Sequence, residues 1–184
     1  MQLMERSKEW VSRTLQALWS QPSLEGCYLD RGLEPSQQPR LSAAETSASD
    51  RLYGLATLPN SMTIACGSYA GWYEGQEGVP PSDAVTFYVS MGALSRAYPV
   101  GAYPFAPMEG VLAWKRELDD WLAGIGRAVY KQAPFDYALI GLEVPTTEAT
   151  SRRSLRSNGI PADRFEGILW PQGDDVAWYP ATRP

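Results

Sequence analysis

Met4, Val11, Leu15 and Leu18 recur at intervals of seven, four and three residues, a spacing that stacks side chains on one helical face. The pattern predicts an N-terminal helix that Ser20 and Pro22 end. Over residues 33–50 large apolar groups give way to Pro, Ser, Gln, Ala and Thr, which predicts a long loop or a poorly ordered connection. Too little chain precedes it to fold alone, so it does not divide domains, and residues 1–184 are expected to form a single domain. Residues 61–69 and 83–91 are β-branched and aromatic, and predict two strands separated by Gly71, Gly75, Gly78, Pro80 and Pro81. In the second, Val85, Phe87 and Val89 alternate with Thr86, Tyr88 and Ser90, so one face should be buried and the other amphipathic. The prolines in residues 98–107 forbid regular structure there.

Residues 107–132 carry the clearest pattern. Val111, Trp114, Leu118, Trp121, Leu122, Ile125 and Val129 form one stripe, while Lys115, Arg116, Glu117, Asp119, Asp120 and Arg127 fall largely outside it. A long amphipathic helix is expected, stopped by Pro134, with Gly124 and Gly126 either fraying its end or admitting a sheet closely. Residues 137–144, 164–170 and 176–179 read as strands, the last two joined by a turn at 171–175. A short helix is expected within 146–157, starting near Thr147. The order predicts an α+β fold: a mainly antiparallel sheet of about five strands, with the long helix packed on it and an N-terminal helix beside it.

Composition narrows the function. The net charge of −5 disfavours nucleic acid, because the one dense basic run is Arg152, Arg153 and Arg156. An acidic surface instead accelerates encounter with a basic partner. Cys27 and Cys66 form no metal-ligand or redox spacing and read as buried thiols. Residues 1–19 interleave charges with apolar groups and lack the core of a signal peptide, and no stretch approaches the roughly 20 apolar residues of a membrane span. A cytoplasmic protein is expected.

With no histidine in the chain, imidazole-based triads, His-ligated metals and imidazole acid–base catalysis are all excluded. No phosphate-loop motif occurs, and no metal or cofactor is implied. Carboxylate-only chemistry stays open, with Glu74, Glu77, Asp83, Glu143, Glu166, Asp174 and Asp175 as candidates. Glu143 lies in a run otherwise fit for burial, though an outward position on a half-exposed strand explains it more simply.

The segment Trp72, Tyr73, Glu74, Gly75, Gln76, Glu77, Gly78 sets two adjacent aromatics beside two carboxylates in a predicted loop. Adjacent residues of an extended chain point to opposite sides, so at least one ring should be exposed. Such a loop suits a basic protein partner, a sugar platform, or a fold back onto its own sheet. Trp170 and Trp178 are placed where they could pair across the last hairpin, and packing in the core is the simpler role. Asp174 and Asp175 would then stand at its tip. The predicted partner-binding set is therefore Trp72, Tyr73, Glu74, Glu77, Asp83, Asp174 and Asp175.

In PFAPMEGVLAWKRELDDWLAGIGRAV, FDYALIGLEV and IPADRFEGILWPQGDDVAWYP, about half the chain, the sequence resembles small immunity proteins of bacterial polymorphic-toxin and type VI secretion systems. The resemblance lies in a strand-and-helix pattern with Trp-, Pro- and Gly-marked turns, and transfers no individual residue. It implies an acidic α+β protein without catalytic residues that binds a cognate protein toxin, for instance a basic nuclease, in the cytoplasm. The alternatives are a carboxylate-dependent hydrolase or carbohydrate-binding protein, and a structural subunit of a phage or secretion apparatus.

Overall fold

The alternation of residues 83–89 organises the molecule. A computed structural model describes residues 1–5, 8–42, 45, 51–73, 82–100, 111–142, 144 and 151–183. Its elements are β1 (Gln2–Glu5), α1 (Lys8–Trp19), β2 (Leu24–Tyr28), β3 (Arg51–Thr57), β4 (Thr63–Tyr73), β5 (Ser82–Val89), α2 (Met91–Leu94), α3 (Val111–Gln132), β6 (Ala138–Ile140), α4 (Arg152–Asn158), β7 (Gly167–Gln172) and β8 (Asp175–Tyr179). The strands form one sheet in the order β2-β3-β4-β5-β1-β6-β7-β8, and every neighbouring pair is antiparallel. It consists of a four-stranded meander, β2 to β5, and a three-stranded one, β6 to β8, joined through β1.

The fold is α+β with an antiparallel sheet, as the element order implies, but the expected five strands are eight. The difference comes from β1, β2 and β3. Residues assigned to the start of the first helix form β1 instead, with Met4 opposite Ala84 of β5 and Leu3 between Val85 and Ala138. Four residues that bridge two sheet halves gain main-chain bonds on both sides, which outweighs a helical spacing. The helix itself starts at Lys8 and ends at Trp19, as Ser20 and Pro22 predict. Other boundaries also move: β6 keeps three residues of the strand expected over 137–144, β7 starts at Gly167, and α4 starts after the cap Ser151, whose Oγ accepts the Ser154 N–H. Thr147 lies outside the described residues.

Both long helices pack on one face of the sheet, α1 over β2 and β5 and α3 over β6, β7 and β8. Val85 and Phe87 face them, with Trp10, Leu15 and Leu18 from α1 and Trp114, Leu118, Leu122, Ile125 and Val129 from the expected stripe of α3. Gly126 lets α3 settle against Leu169 and Met1, whereas the space beside Gly124 is open. Trp19 spans the helix–sheet interface: its ring lies where side chains on Gly26 and Gly54 would be, and its Nε1 donates to Ser68 Oγ at 2.9 Å.

Lys115 and Asp119 lie outside the expected apolar stripe and yet face the interior. Both are buried, 4% and 5% exposed, and Lys115 Nζ donates to Asp119 Oδ2 at 2.7 Å. A helix held between a sheet and a second helix buries more than one stripe. On the opposite face α4 covers only one half, where Leu155 meets Tyr137, Leu139 and Ile168. Among the described residues no helix is long and apolar enough to cross a membrane.

Candidate functional site

Register settles where the predicted partner-binding residues stand. Trp72 and Tyr73 belong to strand β4, which corrects their assignment to a loop, and lie opposite Asp83 and Ser82. Asp83 also faces Glu5 across the β5–β1 pair. Glu74, Glu77 and Glu143 lie outside the described residues. At the other hairpin, Gln172 pairs with Asp175, leaving Gly173 and Asp174 as a two-residue turn in which Gly173 takes a φ of 64°. Asp174 and Asp175 are both exposed, as predicted for the tip.

These two places share one end of the sheet. From Ser82, β5 runs away from that end; β1 returns to it at Glu5, β6 leaves again, and β7 returns to Gln172. Trp72 on β4 and Asp175 on β8 are five strand spacings apart, about 24 Å at about 4.8 Å each. Residues 103 positions apart in sequence are thus carried on one rim of main chain, with acidic positions at Glu5, Asp83, Asp174 and Asp175.

The carboxylates do not all converge. Glu166 precedes β7, and the six residues of that strand, about 20 Å of extended chain, separate it from the acidic turn. That exceeds the roughly 5–10 Å between the paired carboxylates of glycoside hydrolysis. Among the described residues no three Asp, Glu or Cys side chains stand close enough to hold a metal ion. Cys66 is buried on β4, and burial pushes its thiol up to about 12, well away from a nucleophile's range.

The hairpin tryptophans do not pair. Trp178 lies opposite Leu169 and Trp170 opposite Ala177, so the rings take opposite faces. Trp178 joins the helix side, where its Nε1 donates to Asp120 Oδ1 at 2.7 Å, and Trp170 packs near Tyr137.

A second site went unnoticed in the sequence. On the face away from α1 and α3, the half of the sheet not covered by α4 carries a transverse row: Tyr28 beside Tyr53, then Gly67, then Tyr88. The Tyr88 ring reaches across Gly67, its hydroxyl 2.6 Å from where a Cβ would sit. One row away Arg51 faces Tyr69, its guanidinium 5.5 Å from the ring centroid. The connection after β2 folds over this row and encloses a pocket of about 220 Å³, with Leu33, Pro35, Leu55 and Ala65 among its apolar lining and Asp30, Arg31 and Glu34 among its charged lining.

Hydrogen bonds fix that wall. Gln38 accepts the Asp30 N–H at 3.0 Å and donates to Asp30 O at 2.7 Å and Leu33 O at 3.0 Å. Asp30 Oδ1 accepts the Gly32 N–H at 2.7 Å, and Arg40 Nε donates to Gly26 O at 2.6 Å. Within the segment expected over 33–50 as a long loop or a poorly ordered connection, residues 33–42 form an irregular but tied loop with one 3₁₀ turn at Pro35–Gln37. Burial raises the Tyr88 hydroxyl above its ordinary range, reinforced by Tyr53, while the Arg31 and Arg51 charges pull it back. The signal that locates this face is a Tyr on the outward side of each of β3, β4 and β5, namely Tyr53, Tyr69 and Tyr88, where a solvated sheet face ordinarily carries small polar residues.

No family model matches the chain, and no curated protein or solved structure is significantly similar to it.

Proposed function

We propose that this chain is a non-catalytic binding protein that neutralises a cognate basic protein toxin in the cytoplasm, as an immunity protein does, through the acidic and aromatic rim of its sheet. One observation carries the reading: strand register brings Trp72, Tyr73 and Asp83 to the same end of the sheet as the exposed Asp174 and Asp175. Aromatic anchors among carboxylates supply desolvated contact area and long-range attraction to a positive surface.

The test is co-expression with the product of the neighbouring gene, reading growth rescue and a stoichiometric complex. Trp72→Ala or Tyr73→Ala should weaken the complex by at least about 2 kcal/mol, roughly 30-fold, with the fold intact. Asp174→Lys with Asp175→Lys should slow association, with the effect shrinking as salt rises. Wild-type affinity in all these variants moves the interface elsewhere; absence of any complex or rescue refutes the reading.

A further inference from the structure

The tyrosine-lined pocket lies on the opposite face from α1 and α3, away from the rim assigned to the protein partner, and has a chemistry of its own. Its floor is a sheet, its wall is tied by the Gln38 amide and Asp30, and neither depends on a ligand to form. Preorganisation of this kind lowers the ordering cost of binding.

Charge distinguishes the ligand. The chain carries a net charge of −5, yet Arg31, which lines the pocket, and Arg51, one row away, have no carboxylate within ion-pair distance among the described residues. Both guanidiniums act on the Tyr88 hydroxyl. Of the pocket's own two carboxylates, Asp30 is bonded to the Gly32 N–H and serves the wall, and Glu34 caps the 3₁₀ turn Pro35–Gln37. Two guanidiniums beside phenol hydroxyls offer a fan of donors that suits the several oxygens and double charge of a phosphate. The remaining lining is aromatic and aliphatic, which suits a flat, weakly polar ring. The volume of about 220 Å³ falls below the roughly 300–1,000 Å³ typical of sites for drug-sized ligands, so it accommodates one ring system with its charged group at the rim.

We infer that this pocket binds an aromatic phosphate of the nucleoside monophosphate class, the base lying among Tyr28, Tyr53 and Tyr88 and the phosphate between Arg31 and Arg51. Recognition of one mononucleotide needs two cations, not the extended basic track that a nucleic acid strand requires, and the acidic surface elsewhere repels such a strand.

Calorimetric titration of the intact chain tests this with the monophosphates of adenosine, guanosine, cytidine and uridine, each beside its unphosphorylated nucleoside, and with inorganic phosphate. At least one monophosphate should bind, and its nucleoside and inorganic phosphate should each bind about tenfold more weakly or worse, since each supplies half the recognition. Arg31→Met should weaken binding about tenfold, and Tyr88→Phe, which keeps the ring, should weaken it a fewfold. Arg51→Met should act like Arg31→Met. Where loss of its contact with Tyr69 unfolds that variant by circular dichroism, Arg31→Met alone decides, because Arg31 is exposed. No binding by any of the four, equal binding of nucleoside and monophosphate, or unchanged affinity in Arg31→Met overturns the inference. Asp174→Lys with Asp175→Lys should leave nucleotide affinity unchanged, and Arg31→Met should leave toxin binding unchanged, so the two sites fail or stand separately.

Discussion

Replacing Asp119 alone should cost far more than replacing it together with Lys115. The two groups are 2.7 Å apart and almost wholly buried. At an effective dielectric of about 20 their attraction is about 6 kcal/mol, and desolvating two ions costs several kcal/mol each, so the pair as a whole comes out near zero. Removing one member keeps the desolvation cost of the other and discards the attraction. Asp119→Ala should therefore lose about 3–5 kcal/mol, a large part of the roughly 5–15 kcal/mol that holds a domain folded. Lys115→Met with Asp119→Leu fills the same space without charge and should stay within about 1 kcal/mol of the parent, or exceed it. Urea denaturation followed by tryptophan fluorescence measures both, with a common slope as the check that the transition is the same one. A pH series adds a sign. Burial, with a smaller contribution from Asp120, raises Asp119 above 3.8, against the lowering by Lys115 and the Met1 amine. The folded state then holds a proton that the unfolded state has released, so this contribution is present below about pH 3.8 and is lost as pH rises through the raised value. The double variant lacks it. A single variant as stable as the parent, or a double variant as damaged as the single, would refute the reasoning.

Three other outcomes follow from packing and backbone conformation. Gly54→Ala should destabilise by at least about 1–3 kcal/mol in the same urea assay, because its Cβ would sit 2.5 Å from the Glu25 carbonyl oxygen and against the Trp19 ring. Gly173→Ala should cost about 1–2 kcal/mol through its positive φ alone, since nothing crowds the position. Cys66, its thiol held near 12, should resist iodoacetamide in the native protein at pH 8, and it and the buried Cys27 should label only as the chain unfolds. Rapid native labelling would contradict the burial of both.

The long helix and the last hairpin were legible because each is specified locally. An apolar stripe at helical spacing finds a sheet wherever the sheet forms, and a Gly-Asp turn between two short apolar runs closes by itself. What escaped depends on partners distant in sequence. In β1 a helical spacing competes with main-chain bonds to β5 and β6, 78 or more residues away, and the spacing loses. Strands β2 and β3 carry Gly26 and Gly54, which weaken a strand pattern and are explained only by the Trp19 ring they accommodate. The burial of Lys115 and Asp119 needed the knowledge that α1 and the sheet both press on α3.

Legibility of the sites follows the same division. Exposure of Asp174 and Asp175 is a property of a tight turn, and the turn is written in adjacent residues. That the turn stands at the same end as Trp72 and Asp83 is a property of strand direction, fixed only once β1 is seen to bridge the two meanders. The tyrosine row is the extreme case: Tyr28, Tyr53 and Tyr88 come from three strands, and each alone reads as an ordinary strand residue. Their alignment requires the space over Gly67 to be vacant, so a glycine that looks like a weakness in β4 is what brings Tyr88 toward Tyr53. Gly67→Ala separates the two consequences. It should displace the Tyr88 ring and distort the pocket, since its Cβ would also sit 2.9 Å from the Leu52 carbonyl oxygen. The rim residues, carried on other register positions of β4 and β5 and on β8, should keep their partner. A Gly67→Ala variant with an unchanged nucleotide affinity and an unchanged fold would show that the row's alignment does not depend on that glycine.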